Sequence, residues 1–261
     1  MRIHGLLLGF AVLALAPTLG LGAMDLQAIE GRGTFRVLVP GDEIPEMFAF
    51  KRGAVPGFER EILEGFVALR RVKLEVVPIE RFEEILPALR KGDGDIVTGI
   101  NDTAARRQIV DFTVEVLPSR HVVVTRKPRP EVTTVFQFRA EKVGVLKGTT
   151  WADSAEAAGA HAEVFADQKD VLAALKTGRI TATVMAATEF VLAQRHDPDL
   201  QAGVVLGSPG SAAWALRKED KQLKAALDDY LTNLRRTGSW SRLVVKYFGR
   251  DALSVLGKQR Q

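Results

Sequence analysis

None of the 261 residues is cysteine. Disulfides, thiolate metal sites, cysteine nucleophiles and a cysteine-borne lipid anchor are therefore excluded. Histidine is nearly as scarce. His4, His121, His161 and His196 are scattered without ligand spacing, so neither a metal nor a cofactor is expected. No Gly-x-Ser-x-Gly, P-loop or HExxH motif occurs, which removes the commonest hydrolase and nucleotide-binding chemistries. The formal charge of +4 is spread too thinly to form a basic stripe with interleaved aromatics, and nucleic acid is not expected as a partner. No low-complexity segment interrupts the chain.

The one long apolar run is at the start. Arg2 supplies a positive end, Leu6–Ala16 an apolar stretch, and Thr18–Ala23 a small-residue region. This is the pattern of a secretory signal peptide spanning residues 1–23, with cleavage expected near Gly22 or Ala23. An uncleaved anchor helix is the competing reading, against which the run is short for a bilayer. The expected location is periplasmic, by secretion and without lipid attachment. The length that remains suffices for one globular domain or two small ones.

The mature chain alternates. Thr34–Val39, Lys73–Val77 and Asp95–Thr98 read as strands. Gly57–Leu69 and Phe82–Leu89 read as amphipathic helices between them. Such alternation predicts a mostly parallel sheet with helices on both faces. After the strand His121–Thr125 the pattern restarts at Lys142 and runs to a second boundary at Gly207–Gly210. Ala212–Leu216 then reads as a returning strand, before the long amphipathic helix Leu223–Leu234 and a closing segment Trp240–Tyr247. We therefore expect an α/β protein of two lobes with two hinge crossings. Lobe 1 is assigned to 33–125 and 211–250, lobe 2 to 126–210, and a polar tail to 251–261. A hinge between two lobes makes a cleft.

One stretch points to what the cleft holds. Ala88–Gly92 reads as a helix ending, Asp95–Thr98 as a buried strand, Gly99–Asp102 as a polar turn, and a helix opens near Thr103. Ligands of open α/β sheets bind just past the carboxyl ends of strands, and free N–H groups at a helix start favour an anion. Arg106 could add a bidentate fork for a carboxylate. Alternatively, Arg106 and Arg107 are solvated surface charges. A second unit is built alike: Ala174-Leu175-Lys176-Thr177-Gly178 repeats the ending Ala88-Leu89-Arg90-Lys91-Gly92 before another apolar strand.

Several motifs together resemble the extracellular solute-binding proteins of family 3, the polar-amino-acid type that serves ABC importers. They are Gly57-Phe58-Glu59-Arg60-Glu61-Ile62, Thr103-Ala104-Ala105-Arg106, Val110-Asp111-Phe112-Thr113, Gly148-Thr149-Thr150 and Lys246-Tyr247-Phe248-Gly249. The resemblance implies the type II periplasmic binding protein fold. It also implies a ligand α-carboxylate held by Arg106, Asn101, Thr149 and Thr150, an ammonium group accepted by the Gly99 carbonyl, and a side-chain pocket lined by Phe82. Thr149 can equally be read as a helix N-cap, and both roles can hold together.

Two departures qualify the resemblance. The acidic residue that holds the ligand's ammonium in such proteins corresponds to Ala186, so another acid substitutes or the ligand lacks that group. His121–Thr125, Gln194–Leu200 and Ala213–Lys218 are similar to the binding-protein-like domain of the F-type membrane-bound lytic murein transglycosylases. No Glu-Ser pair, the active-site motif of their catalytic domain, occurs. The expectation is a non-enzymatic, monomeric binding protein for a small carboxylate-bearing ligand, with an ABC permease or a cell-wall enzyme as partner. The alternatives are a murein-fragment-binding module and a periplasmic dehydratase. For the dehydratase, Glu43, Glu115 and Glu189 are the acid candidates near the cleft, each otherwise a surface carboxylate.

Overall fold

The computed structural model describes residues 25–51, 53–250 and 252. The signal segment 1–23 lies outside the described residues, as does the tail apart from residue 252. In chain order the elements are α1 (Leu26–Arg32), β1 (Thr34–Pro40), α2 (Pro45–Phe48), α3 (Phe58–Arg70) and β2 (Lys73–Ile79). A 3-10 turn, Phe82–Glu84, leads into α4 (Ile85–Lys91), β3 (Ile96–Asp102), α5 (Ala104–Arg107), β4 (Asp111–Phe112) and β5 (Leu117–Arg126). Then come α6 (Val135–Arg139), β6 (Val143–Leu146), α7 (Thr150–Ala157), β7 (Ala162–Phe165), α8 (Gln168–Thr177), β8 (Ala182–Ala186) and α9 (Ala187–His196). The chain closes with β9 (Leu200–Leu216), α10 (Lys221–Arg236) and α11 (Ser239–Phe248).

All strands join one sheet in the order β2-β1-β3-β9-β5-β8-β6-β7, with β4 paired to β9. The outer parts are parallel, β1 with β2 and β3, and β6 with β7 and β8. The middle is antiparallel because β5 and β9 are the two crossings. They pair with each other from Leu117↔Ala212 to Arg126↔Leu200, and β9 also pairs with β3 and β5 with β8. Two runs of chain thus carry the fold from one lobe to the other and back.

Helices cover the sheet for the reason their sequences give. In α3, Phe58, Ile62, Leu63, Phe66 and Val67 fall on one face and are buried, each contributing roughly 1.5–3 kcal/mol by leaving water. With Trp214, Leu227 and Trp240 they form the larger core of the first lobe, and Leu38, Leu89 and Phe112 fill the opposite face of its sheet. The second lobe has its own core around Val123, Phe138, Val171 and Val184. Gly92 and Gly178, the paired helix endings of the sequence, both adopt left-handed backbone at the C-caps of α4 and α8, φ 87° and 77°.

Two expectations need correction. Gly207–Gly210, read as a boundary, lies inside the continuous 17-residue strand β9; the glycines lie where its pairing with β5 shifts register, rather than breaking it. Gly99–Asp102, read as a turn, continues β3, with the irregularity confined to the Val97/Ile100 register shift. Helix α9 is shared between the cores: Leu192 packs into that of the first lobe and Phe190 into that of the second. Arg195 reinforces the attachment to the first lobe by donating to the Tyr247 carbonyl at 3.0 Å, so α9 links the two lobes.

Candidate functional site

The lobes face each other across a cleft of about 440 Å³, within the range of small-ligand sites. It lies against the end of β3, the start of α7 and the start of α9. Gly99, Asn101, Arg106, Thr149, Thr150 and Phe82 all line it, so the folded chain brings together the six residues to which the resemblance gave a ligand contact.

Arg106 is the charged centre of one end. Thr103 caps the single turn α5, its hydroxyl accepting from the Arg106 amide at 3.2 Å, and so aims the guanidinium inward. That group lies over the Phe82 ring at 5.6 Å. It donates to the carbonyls of Asn101 at 2.8 Å and Gly148 at 3.1 Å. No carboxylate stands within ion-pair distance of it among the described residues. Burial lowers its pKa, opposed by Asp153, yet a guanidinium remains charged. Arg107, its neighbour, is the solvated one, paired with Asp102.

The wall beside Arg106 is tied together by His121, to which the sequence gave no role. Asn101 Nδ2 donates across the cleft to Thr150 Oγ1 at 2.5 Å, and both groups meet His121 Nε2 at 3.1 Å. His121 Nδ1 in turn meets Ser154 Oγ at 2.7 Å. Burial pushes the imidazole pKa down, so it stays neutral at neutral pH. Thr149 is the N-cap of α7 and also donates to the Leu146 carbonyl at 2.8 Å. Further contacts hold the lobes together: Lys147 with Glu83 at 3.1 Å, the Gln168 amide to Asp42 at 3.0 Å, and His196 with Glu46 at 3.2 Å.

The other end of the cleft is acidic. Glu59, on the first turn of α3, is only 2% exposed. Its carboxylate accepts from the Gly99 amide at 3.2 Å. Burial pushes its pKa up to about 7, against the opposing pull of that amide and of the Trp214 and Thr98 side chains. Glu189, on the first turn of α9, is pushed to about 8 by burial and by the charge of Glu59. Both line the cleft, so Glu189 is not the surface carboxylate the sequence suggested. Glu43 lines it too but is engaged by the Phe50 amide at 2.6 Å. Glu115 does not; it bonds Ser211 at 2.7 Å and pairs with Arg235 outside the cleft. Glu59 was visible in the sequence only as part of a motif, since nothing local marks a helix-start glutamate as buried. Among the described residues no group of three His, Asp or Glu side chains could hold a metal ion, and no helix is long and apolar enough to cross a membrane.

Chemically, the arrangement offers a guanidinium at Arg106, apolar walls from Leu117, Met185 and Leu192, and two carboxyls of raised pKa. A model of the bacterial extracellular solute-binding proteins, family 3, matches residues 35–250. The chain is 26% identical over 243 residues to membrane-bound lytic murein transglycosylase F of Pseudomonas putida, a match covering 89% of this chain and 50% of that protein. It thus spans about half the length of such relatives. Among solved structures, an ancestral arginine-binding protein bound to glutamine is 25% identical with a TM-score of 0.75, covering 84% of this chain and 99% of that one. An ancestral amino acid-binding protein described as a precursor of cyclohexadienyl dehydratase is 24% identical, TM-score 0.75, covering 85% and 98%.

Proposed function

Because the chain belongs to the bacterial extracellular solute-binding proteins, family 3, we propose that it closes its two lobes on a small carboxylate-bearing ligand, an amino acid or a related compound. The observation that carries this reading is Arg106, a half-buried guanidinium in a cleft whose hydrogen-bond partners are two backbone carbonyls and not a carboxylate. A partly desolvated cation with no ion-paired partner gains from a ligand carboxylate, which offers it a bidentate acceptor. Asn101, Thr149 and Thr150 supply the remaining polar contacts, Gly99 a backbone group, and Phe82 a wall. The lobes are 33–125 with 211–250, and 126–210. The ligand's contacts to both shift the population toward the closed form, which a partner reads. The protein acts outside the cytoplasm after export on the segment 1–23, as a monomer and without a cofactor. Its partner is an ABC permease, or a sensor.

Two other readings rest on particular observations. Half-length similarity to lytic transglycosylase F supports a murein-fragment-binding module that regulates a cell-wall enzyme. Glu189, a cleft carboxyl whose pKa burial and Glu59 raise to about 8, supports the reading of a general acid in a dehydratase. Thermal unfolding of the mature protein against amino acids, short peptides, muropeptides and prephenate separates them. A ligand at a hundredfold its Kd stabilises by about 2.7 kcal/mol. Arg106→Ala is expected to weaken a carboxylate hit by about 2–5 kcal/mol. Undiminished binding in that variant would overturn the assignment.

A further inference from the structure

The crossing strand β5 places His121 where the lobes meet. Leu117 packs in the first core and Val122 in the second, so the strand changes lobes between them. Its pairing with β9 shifts register in the same interval, between Ser119 and His121. Such a shift bends a strand, which marks this interval as the hinge of β5. His121 follows it directly, with its backbone held on both sides, opposite Ala186 of β8 and Leu206 of β9.

An imidazole is flat and stiff and carries a polar nitrogen on each of two edges. Thr150 and Ser154 are four residues apart on α7 and so share a face. The ring meets both, Ser154 Oγ through Nδ1 at 2.7 Å and Thr150 Oγ1 through Nε2 at 3.1 Å. Asn101 belongs to the first lobe, on β3 opposite Ala212. Its Nδ2 reaches over the boundary to His121 Nε2 at 3.1 Å and to Thr150 Oγ1 at 2.5 Å. The chain's own groups thus bridge the lobes at the depth of the hinge, all of these bonds being partly buried. The contacts at the rim are more solvated. The side chain of Lys147 is 58% exposed and that of His196 72%, and exposed pairs contribute little.

We infer that His121 is the positioning residue of the cleft: from the hinge it fixes the side chains of Asn101 and Thr150, one from each lobe, and so latches the lobes together. His121 does not itself line the cleft and acts through these two. An asparagine amide held by one bond keeps a choice of orientation, because its terminal torsion is broad; the second bond, to His121, removes that choice. For ligand contacts this rests on the reading of Asn101 and Thr150 given above, whereas the latch itself does not.

The test needs no ligand. Because the chain has no cysteine, spin labels can be placed on the mature protein at Glu80→Cys and Asp170→Cys, exposed positions beside the cleft, one in each lobe. Pulsed dipolar spectroscopy should give one short distance while His121 is present. His121→Ala and Asn101→Ala should each raise the ratio of a longer-distance population to the short one by about tenfold or more, the loss of one net hydrogen bond. His121→Asn, whose amide reaches Ser154 but not Asn101, should open likewise. His121→Gln, whose amide comes to the place of Nε2, should keep the ratio within about twofold of the original. Melting temperatures measured alongside check folding, and Asn101→Ala probes the latch from the other lobe. Unchanged distances in both alanine variants overturn the assignment. So does a long distance already dominant with His121 present, or a His121→Gln protein as open as His121→Ala. Loss of carboxylate binding in Arg106→Ala together with unchanged distances in His121→Ala removes the latch and leaves the carboxylate reading standing; the opposite pattern removes the carboxylate reading and leaves the latch.

Discussion

Replacing Glu189 by glutamine tests the acidic end of the cleft without knowledge of any ligand. An ordinary glutamate carboxyl titrates near 4.5, and in the fold that of Glu189 is held up to about 8 by burial and by Glu59. Below pH 4.5 the group is neutral in both folded and unfolded chains, so glutamate and glutamine should be equivalent. As pH rises from 4.5 to 8 the unfolded chain releases its proton while the folded chain keeps it. The folded state binds more protons, and its stability therefore falls with pH over that window. Taken whole, the shift corresponds to about 5 kcal/mol. Glu189 is only partly buried, and solvent and side-chain relaxation screen the charge, so about 1–3 kcal/mol is the realistic size.

Glu189→Gln should accordingly melt with the wild type at pH 4.5–5 and about 3–8 °C above it at pH 8.5, for a chain of this size. Differential scanning calorimetry of the ligand-free protein across pH 4.5–8.5 reads this directly. Adding Glu59→Gln should shrink the effect of the second substitution, because the repulsion between the carboxylates disappears with either one. A melting difference that does not change with pH, or a variant less stable than wild type at pH 8.5, would refute the reasoning.

Other predictions concern the scaffold. Asp95 is fully buried at the mouth of β3, accepting from the Arg36 amide at 2.7 Å and pairing with Arg32 at 2.6 Å and Arg36 at 3.3 Å. Asp95→Ala removes the buried acceptor that these three donors share and should cost about 3–5 kcal/mol in chemical denaturation. Gly203 has no room for a side chain: a Cβ there would meet the Val132 carbonyl oxygen at 2.0 Å. Gly203→Ala must push apart β9 and the segment before α6, and should destabilise by about 1–3 kcal/mol, visible as a lower urea midpoint with unchanged slope.

Much of this molecule is written locally. The 3.6-residue spacing of Phe58, Ile62 and Phe66 specifies α3 because only one face can be buried. Runs such as His121–Thr125 specify strands, and Gly92 and Gly178 specify helix ends, because each depends on chemistry within a few residues. The Arg106 end of the cleft was legible in part for a related reason: Arg106 follows a strand end and opens a helix within a few residues, whereas Asn101, Thr149 and Thr150 came only from the motifs of the family resemblance.

The acidic end was legible only as far as Glu43 and Glu189, named as acid candidates near the cleft, and neither the burial of Glu59 nor its nearness to Glu189 was. Glu59 and Glu189 lie 130 positions apart on helix starts that look solvated in sequence. They share the cleft only because β5 and β9 cross between the lobes and because Leu192 anchors α9 in the first lobe's core. His121 likewise was one of several scattered histidines until the crossing strand set it between Asn101 and Thr150. Local periodicity and turn chemistry thus determined the elements, the two-lobed α/β architecture and the arginine at its centre. The tertiary structure decided which charges meet across the cleft, because burial and long-range proximity belong to the folded chain and to no segment of it.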